Sequence, residues 1–404
     1  MRGHIRGLPS GSWGIMVYLG SEGKRKKYYT ETVHGSKEEA ERRLTTVLKE
    51  LDDQTFVPPA KMTYGEFLTK WLTDYAKISL RQTSYEMYET LIRVHIMPAL
   101  GMIPLKKLTP MGIQSFLTAK ALGKRADKKK GRLAPSTVKH IHDIIKISLN
   151  SAVKWGLLAR NPALMADPPK VEKRRLEVWD AEQASVFWDA AKTDRYFAAY
   201  LLAITTGMRR GEVLGLRWSD LDLDRAVLRV NQQVIHTRKG MVVQEQPKTP
   251  ESRRLLALST QTVEALLDRK VAAAIERKKW DAMPKRETDR AYENNGLVFS
   301  SLDGRPLDAR AFTRHFETLA AKAGLPKIRF HDLRHTNATL MIGEGVNLKI
   351  ISERLGHSAI DITADKYGHV LKEFDRKVAN KVEDAIREVR RKNGFDAQES
   401  PQIH

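Results

Sequence analysis

The sequence predicts a mainly α, multidomain protein with small antiparallel β-sheets. Three observations carry that expectation. The chain has 404 residues, 41% of them hydrophobic, which is enough material for several separate cores. Two proline-marked stretches, Asp52 to Lys61 with Pro58-Pro59 and Pro162 to Arg175 with Pro168-Pro169, divide it into three parts. Apolar residues at helical spacing fill the second and third parts, whereas strand-like runs are confined to the N-terminal part and to a patch beyond Trp218.

Charge and composition narrow the partners. Lys+Arg 70 against Asp+Glu 49 gives a formal +21, an excess that calls for a polyanion, nucleic acid first among them. There is no cysteine, so disulfides, Cys-ligated zinc and thiol chemistry are excluded. Met1 to Arg6 has no apolar signal core, and the longest apolar run, Phe197 to Ile204, is too short to span a bilayer. A soluble, unexported protein is expected.

The first domain is expected over residues 1–57. Trp13 to Leu19 is strand-like, Gly20 to Gly23 is a turn, and Lys24 to Val33 returns as a basic strand. Ser36 and Glu39 then spell a capping box, behind which Ala40, Leu44, Val47, Leu48 and Leu51 form a helical stripe able to cover one sheet face. The other face is expected to carry Arg25, Lys27 and the tyrosines, a ribbon that fits a DNA major groove. The bland alternative is a solvated hairpin whose charges oppose aggregation.

The second domain, 62–165, reads as four amphipathic helices. Thr63 and Glu66 cap the first, with Phe67, Leu68, Trp71, Leu72 and Tyr75 on its apolar side. Tyr85, Tyr88, Leu91, Ile92 and His95 mark the second, which Pro98 should break. Thr109-Pro110 opens a third, and Val138, Ile141, Ile145, Leu149 and Val153 line a fourth. The loop between them carries Lys124, Arg125, Lys128, Lys129 and Lys130, set to lie on a phosphate backbone or simply to be solvated.

The third domain, 176–395, carries the chemistry. Asp180 caps one helix, and Tyr196 to Thr206 forms a second, largely buried one. Thr205-Thr206-Gly207-Met208-Arg209-Arg210-Gly211-Glu212 then places Arg209 on a turn, with Glu212 spaced to brace its guanidinium. Strands are expected at Ala226 to Val234, Gly240 to Gln246 and Ser252 to Ser259, in one short antiparallel sheet with Lys248 at the tip between the last two. Helices follow at Thr262 to Trp280 and Ala311 to Ala323, with a buried strand and turn at Leu297 to Gly304 between them. His331 and Arg334 are spaced for one helix face, where an imidazole and a guanidinium fork grip one phosphodiester. Leu355-Gly356-His357 and Tyr367 come next, and Tyr367 is the candidate nucleophile. A phenol with a reference pKa of about 10 attacks at neutral pH only where a phosphate is already surrounded by positive donors.

Over Leu176 to His369 the chain resembles the tyrosine recombinases of the phage integrase family. Thr-Gly-Met-Arg-Arg-Gly-Glu, Pro-Lys-Thr, His-Asp-Leu-Arg-His-Thr, Leu-Gly-His-Ser and Tyr367-Gly368-His369 occur in the family's order. The resemblance implies that Arg209 and Arg334 clamp the scissile phosphate, that Lys248 is the general acid, that Glu212 supports Arg209, and that His331 and His357 take the two histidine places. It further implies cleavage by Tyr367 through a 3′-phosphotyrosine, without metal, ATP or other cofactor, to integrate or excise a phage or mobile element in a bacterial cytoplasm, at the nucleoid. The upstream parts resemble, less sharply, the arm-binding and core-binding (SAM-like) domains of larger integrases. Core-type and arm-type DNA sites, a homo-tetramer on DNA, a host DNA-bending protein and a directionality factor are the partners this implies.

Three alternatives stand beside it. A type IB topoisomerase shares the chemistry, and a noncatalytic DNA-binding regulator would share the charge. His331 and His335 have a zinc-like spacing, but Asp332 stands where a zinc protease uses Glu. Beyond Tyr367, the residues Val370, Leu371, Phe374, Val378, Val382, Ile386 and Val389 predict an amphipathic helix, packed either on its own domain or on a neighbouring subunit.

Overall fold

The computed structural model describes residues 3–22, 25–53, 62–124, 131–172, 177–245, 253–283, 291–356 and 387–389. Its contacts separate two compact units, Met1–Lys173 and Arg174–His404.

The first unit opens with an antiparallel sheet of β1 (Gly3–Gly7), β2 (Trp13–Glu22) and β3 (Arg25–Val33), in that order. Ser36 and Glu39 form the expected capping box at the start of α1 (Lys37–Asp52), and Ala40 and Val47 of that helix pack on Ile15, Val17 and Tyr29 of the sheet. The tyrosines therefore do not share a face. Tyr29 is turned inward, donating to Glu31 Oε2 at 2.7 Å, where burial first and then Glu31 push its phenol up to about 12. Tyr28 is exposed and meets Tyr18 across the strands, their ring centroids 5.6 Å apart. Side chains alternate along a strand, so Lys27 falls on the side of Tyr29, and Lys26 takes the open side with Tyr28.

A separate helical core follows. Thr63 and Glu66 cap α2 (Tyr64–Trp71), which continues through a π-turn at Leu72–Ala76. The next helix, α3 (Gln82–Leu91), is not ended by Pro98: it runs through a second π-turn, Ile92–Ile96, into a last turn at Met97–Leu100. The wider turn just before Pro98 accommodates a residue that lacks an N–H and would crowd the carbonyl four residues back. With α4 (Pro110–Leu122) and α5 (Pro135–Lys154) they bury Phe67, Trp71, Ile96, Ile113, Ile141 and Leu149. Pro162 to Ala166 belongs to this core rather than to a linker, since Ala163 and Ala166 are buried in it. Asn161 fixes that turn, accepting from the Ala163 N–H at 2.9 Å and donating to Lys146 O at 2.9 Å.

The second unit surrounds α7. Its elements are α6 (Ala181–Ala191), α7 (Phe197–Thr206), α8 (Arg210–Leu214), β4 (Leu221–Asp222), β5 (Val227–Val230), β6 (Gln233–Thr237), β7 (Gly240–Gln244), β8 (Arg254–Ala257), α9 (Thr260–Ala282), α10 (Ala309–Lys322), α11 (Asp332–Gly343) and α12 (Leu348–Leu355). An aromatic cluster of Trp179, Phe187, Tyr200, Phe312, Phe316 and Phe330 fills the centre. The expected single sheet is two: β4-β5-β8, and β6-β7 alone. The run from Ala226 to Val234 divides at Asn231 and Gln232, whose side chains bond Asp220 Oδ1 at 2.8 Å and Gly215 O at 2.6 Å. Strands β7 and β8 thus belong to different sheets. Leu297, Val298 and Phe299 are buried as expected, held by isolated bridges of Leu297 to Arg217 and Ser300 to Pro306. Of the stripe from Val370 to Val389, only 387–389 lies within the described residues, and it is helical. No helix among the described residues is long and apolar enough to cross a membrane.

Candidate active site

The site is built on the turn that ends α7. That helix is buried along nearly its whole length and closes on Gly207 at φ 67, a left-handed conformation that glycine adopts at least cost. The carbonyls of this turn point outward from the helix end and need donors. Side chains from distant segments supply them: Asn337 Nδ2 to Ile204 O at 2.7 Å, Arg354 Nη2 to Thr205 O at 3.1 Å, and Arg334 Nη1 to Gly207 O at 2.8 Å. A Cβ on Gly207 would overlap Leu355 Cδ2 and stand 2.8 Å from Asn337 Oδ1, so α11 and the end of α12 close directly on the turn.

Arg209 sits at the N-cap of α8. Its backbone N–H donates to Glu212 Oε2 at 2.9 Å and its Nη1 to Oε1 at 2.7 Å, the bracing expected from their spacing. Its Nη2 donates to Gly356 O at 3.0 Å, which ties Arg209 to the residue directly before His357. About a third of the Arg209 side chain remains exposed, whereas Glu212 is only 3% exposed.

Arg254 is the residue the sequence did not single out. It opens β8, donates from Nη2 to Glu212 Oε2 at 2.9 Å and from Nε to Arg354 O at 2.7 Å, and is almost fully buried. Burial pushes the Glu212 carboxyl up, but Arg254 first and Arg209 second outweigh it and hold the group below the usual carboxylate range. One signal did exist: Arg254 shares the inward face of its strand with buried Leu256, whereas Leu255 is exposed. An arginine at a core-facing position requires a buried acceptor.

The His331 motif is divided by burial. His331 stands at the N-cap of α11 and is exposed, while Arg334, one turn on, is 2% exposed and turned toward Gly207. His335 is buried with its ring 5.4 Å from that of His331. Asp332 accepts from Arg329 Nε at 3.0 Å and Nη2 at 2.8 Å. Burial raises its pKa, and Arg329 more than reverses that, leaving it lowered. The structure thus brings together Arg209, Glu212 and Arg334 around one turn, with His331 at the head of the helix that bears Arg334. Lys248, His357 and Tyr367 lie outside the described residues, as do Arg125, Lys128, Lys129 and Lys130. Lys124 and Lys27 are exposed, and Arg25 begins β3.

This fold is that of the DNA integrases. The Tn1549 transposon integrase in complex with transposon right end DNA superimposes with a TM-score of 0.62 at 22% identity, over 78% of this chain and 99% of that one. Residues 177–373 match the model of the phage integrase family, and residues 63–121 match that of the phage integrase N-terminal SAM-like domain. The chain belongs to the phage integrase family. A tyrosine recombinase XerC-like protein of Caldanaerobacter subterraneus subsp. tengcongensis is 28% identical over 86% of this chain and 88% of its own length. A putative prophage phiRv2 integrase of Mycobacterium tuberculosis is 27% identical over 93% and 94% respectively.

Proposed function

We propose that this protein is a site-specific DNA recombinase that integrates or excises a mobile element through a covalent phosphotyrosine. The observation that carries this reading is the locked turn bearing Arg209. One ionised carboxylate, Glu212, lies between Arg209 and Arg254, while Arg334 and Arg354 bond carbonyls of the same turn. Positive charge is in excess there, and Arg209 keeps an exposed edge to present to an anion.

In the proposed reaction the Tyr367 oxygen attacks the scissile phosphorus as the bond to the 5′ oxygen breaks. Arg209 and Arg334 neutralise the nonbridging oxygens, and Lys248 protonates the leaving 5′ oxygen. His331 and His357 hydrogen-bond the phosphate or carry the proton of the phenol. Attack by the 5′-hydroxyl of another strand reverses the step, so the phosphodiester energy is retained. Double-stranded DNA is the substrate, held by the helical domain at core sites and by the N-terminal sheet at arm sites in a homo-tetramer, with host bending and directionality proteins assisting.

Tyr367→Phe tests the reading. The variant should bind core-site DNA like the parent and form no covalent adduct with a nicked suicide duplex. An adduct that persists in the Phe variant would remove Tyr367 from this role.

A further inference from the structure

Three segments that are remote in sequence meet in a closed circuit. Arg209 Nη1 donates to Glu212 Oε1 at 2.7 Å, Arg254 Nη2 donates to the other oxygen of that carboxylate at 2.9 Å, Arg254 Nε donates to Arg354 O at 2.7 Å, and Arg209 Nη2 donates to Gly356 O at 3.0 Å. The circuit joins the first turn of α8, the first residue of β8 and the last turn of α12. Arg209 and Arg254 each touch both Glu212 and the end of α12, and of the two it is Arg254 that is almost fully buried, while Arg209 keeps an exposed edge. We propose that Arg254 is a positioning residue, which aims Arg209 at the scissile phosphate by holding Glu212 and the α12 terminus in register.

The inference rests on Arg209 acting as a phosphate clamp. A long guanidinium side chain with an exposed edge has several rotamers, and only one of them suits a given phosphate oxygen. Glu212 selects that rotamer only if it is itself immobile and ionised. Arg209 alone would leave a buried carboxylate with a single, partly solvated cation. Arg254 supplies a second, buried cation, and because its fork is rigid the same side chain reaches Arg354 O. Lysine has the charge without the fork, so it should restore part of the function.

The test compares Arg254→Gln, Arg254→Lys and Arg209→Ala. Each is measured for core-site affinity by gel shift, for thermal stability, and for covalent-adduct formation at saturating enzyme. Adduct formation is followed on an ordinary suicide duplex and on one whose scissile phosphate is a methylphosphonate, which has no anionic charge to neutralise. On the ordinary duplex Arg254→Gln should be slower by about tenfold or more, with Arg254→Lys between it and the parent and affinities within about threefold. On the methylphosphonate the deficits of Arg254→Gln and Arg209→Ala should shrink together. A general loss of structure would instead lower both substrates equally along with the melting temperature, and that pattern overturns the proposal. If Arg254→Gln does not fold, Arg254→Lys carries the same comparison. Arg209→Ala cleaving the ordinary duplex at the parental rate would sink the recombinase site itself. Arg209→Ala impaired with both Arg254 variants at the parental rate would sink only the positioning role.

Discussion

Replacing Gly207 by alanine tests whether the arginine turn is closed as tightly as its geometry requires. Two costs are expected. The left-handed φ of 67° imposes about 1 kcal/mol on any residue with a Cβ. The added methyl also meets Leu355 Cδ2 and lies 2.8 Å from Asn337 Oδ1, and overpacking of this kind costs about 1–3 kcal/mol more. Gly324 separates the two terms within the same unit: its φ is 70°, at the end of α10, and a Cβ there meets nothing within 4 Å. Gly324→Ala should therefore show the backbone cost alone. For a unit of this size the extra clash should put Gly207→Ala below Gly324→Ala by roughly 2 to 12 °C in a calorimetric melt. The same displacement shifts the Gly207 carbonyl from Arg334 and the end of α12 from Arg209. Adduct formation should fall on the order of 100-fold for Gly207→Ala and stay near parental for Gly324→Ala. Equal melting temperatures with parental cleavage in both would refute a turn packed shut by α11 and α12.

Lys248→Ala should slow cleavage of a normal phosphodiester by a factor on the order of 10² to 10⁴, and a 5′-bridging sulfur, which leaves without protonation, should restore most of the rate. No restoration would assign the proton to another group. A fragment beginning at Lys61 should still cleave a core site yet fail to integrate on DNA that needs simultaneous contact with distant arm sites, because it forfeits the effective concentration of a second module. Full integration by the fragment would end the arm-binding proposal. The acid limit of stability is set partly by Glu276, which burial pushes up but Arg269 and Arg195 bring down to about 2. A carboxyl whose folded pKa lies below its unfolded value adds stability above the unfolded value, and that stability is lost as pH falls through the folded one. Urea melts of the parent should thus weaken between about pH 4.5 and 2, with a slope that Glu276→Gln flattens. An unchanged slope would show that the carboxylate contributes nothing in that window.

What the sequence revealed of this site divides by distance along the chain. The bracing of Arg209 by Glu212 was legible because its partners lie one helical turn apart, and caps such as Ser36 with Glu39 and Thr63 with Glu66 were legible for the same reason. Where local signals misled, a neighbour from elsewhere had intervened. The strand from Ala226 divides because Gln232 bonds Gly215, and the stretch after Asn161 belongs to the core because Asn161 and His142 hold it there. The same rule hides most of the arginine turn. Its donors Arg334, Asn337 and Arg354 stand 127, 133 and 149 residues from the carbonyls they satisfy, and no periodicity reports a pairing of that range. The motifs that carry the resemblance include Arg334 but do not reach Arg254, whose neighbour Arg253 is chemically identical. Only the register of β8 separates the two, since Arg254 faces inward with Leu256. A buried cation there had to find a carboxylate, and Glu212, spaced to serve Arg209, was already in place for both.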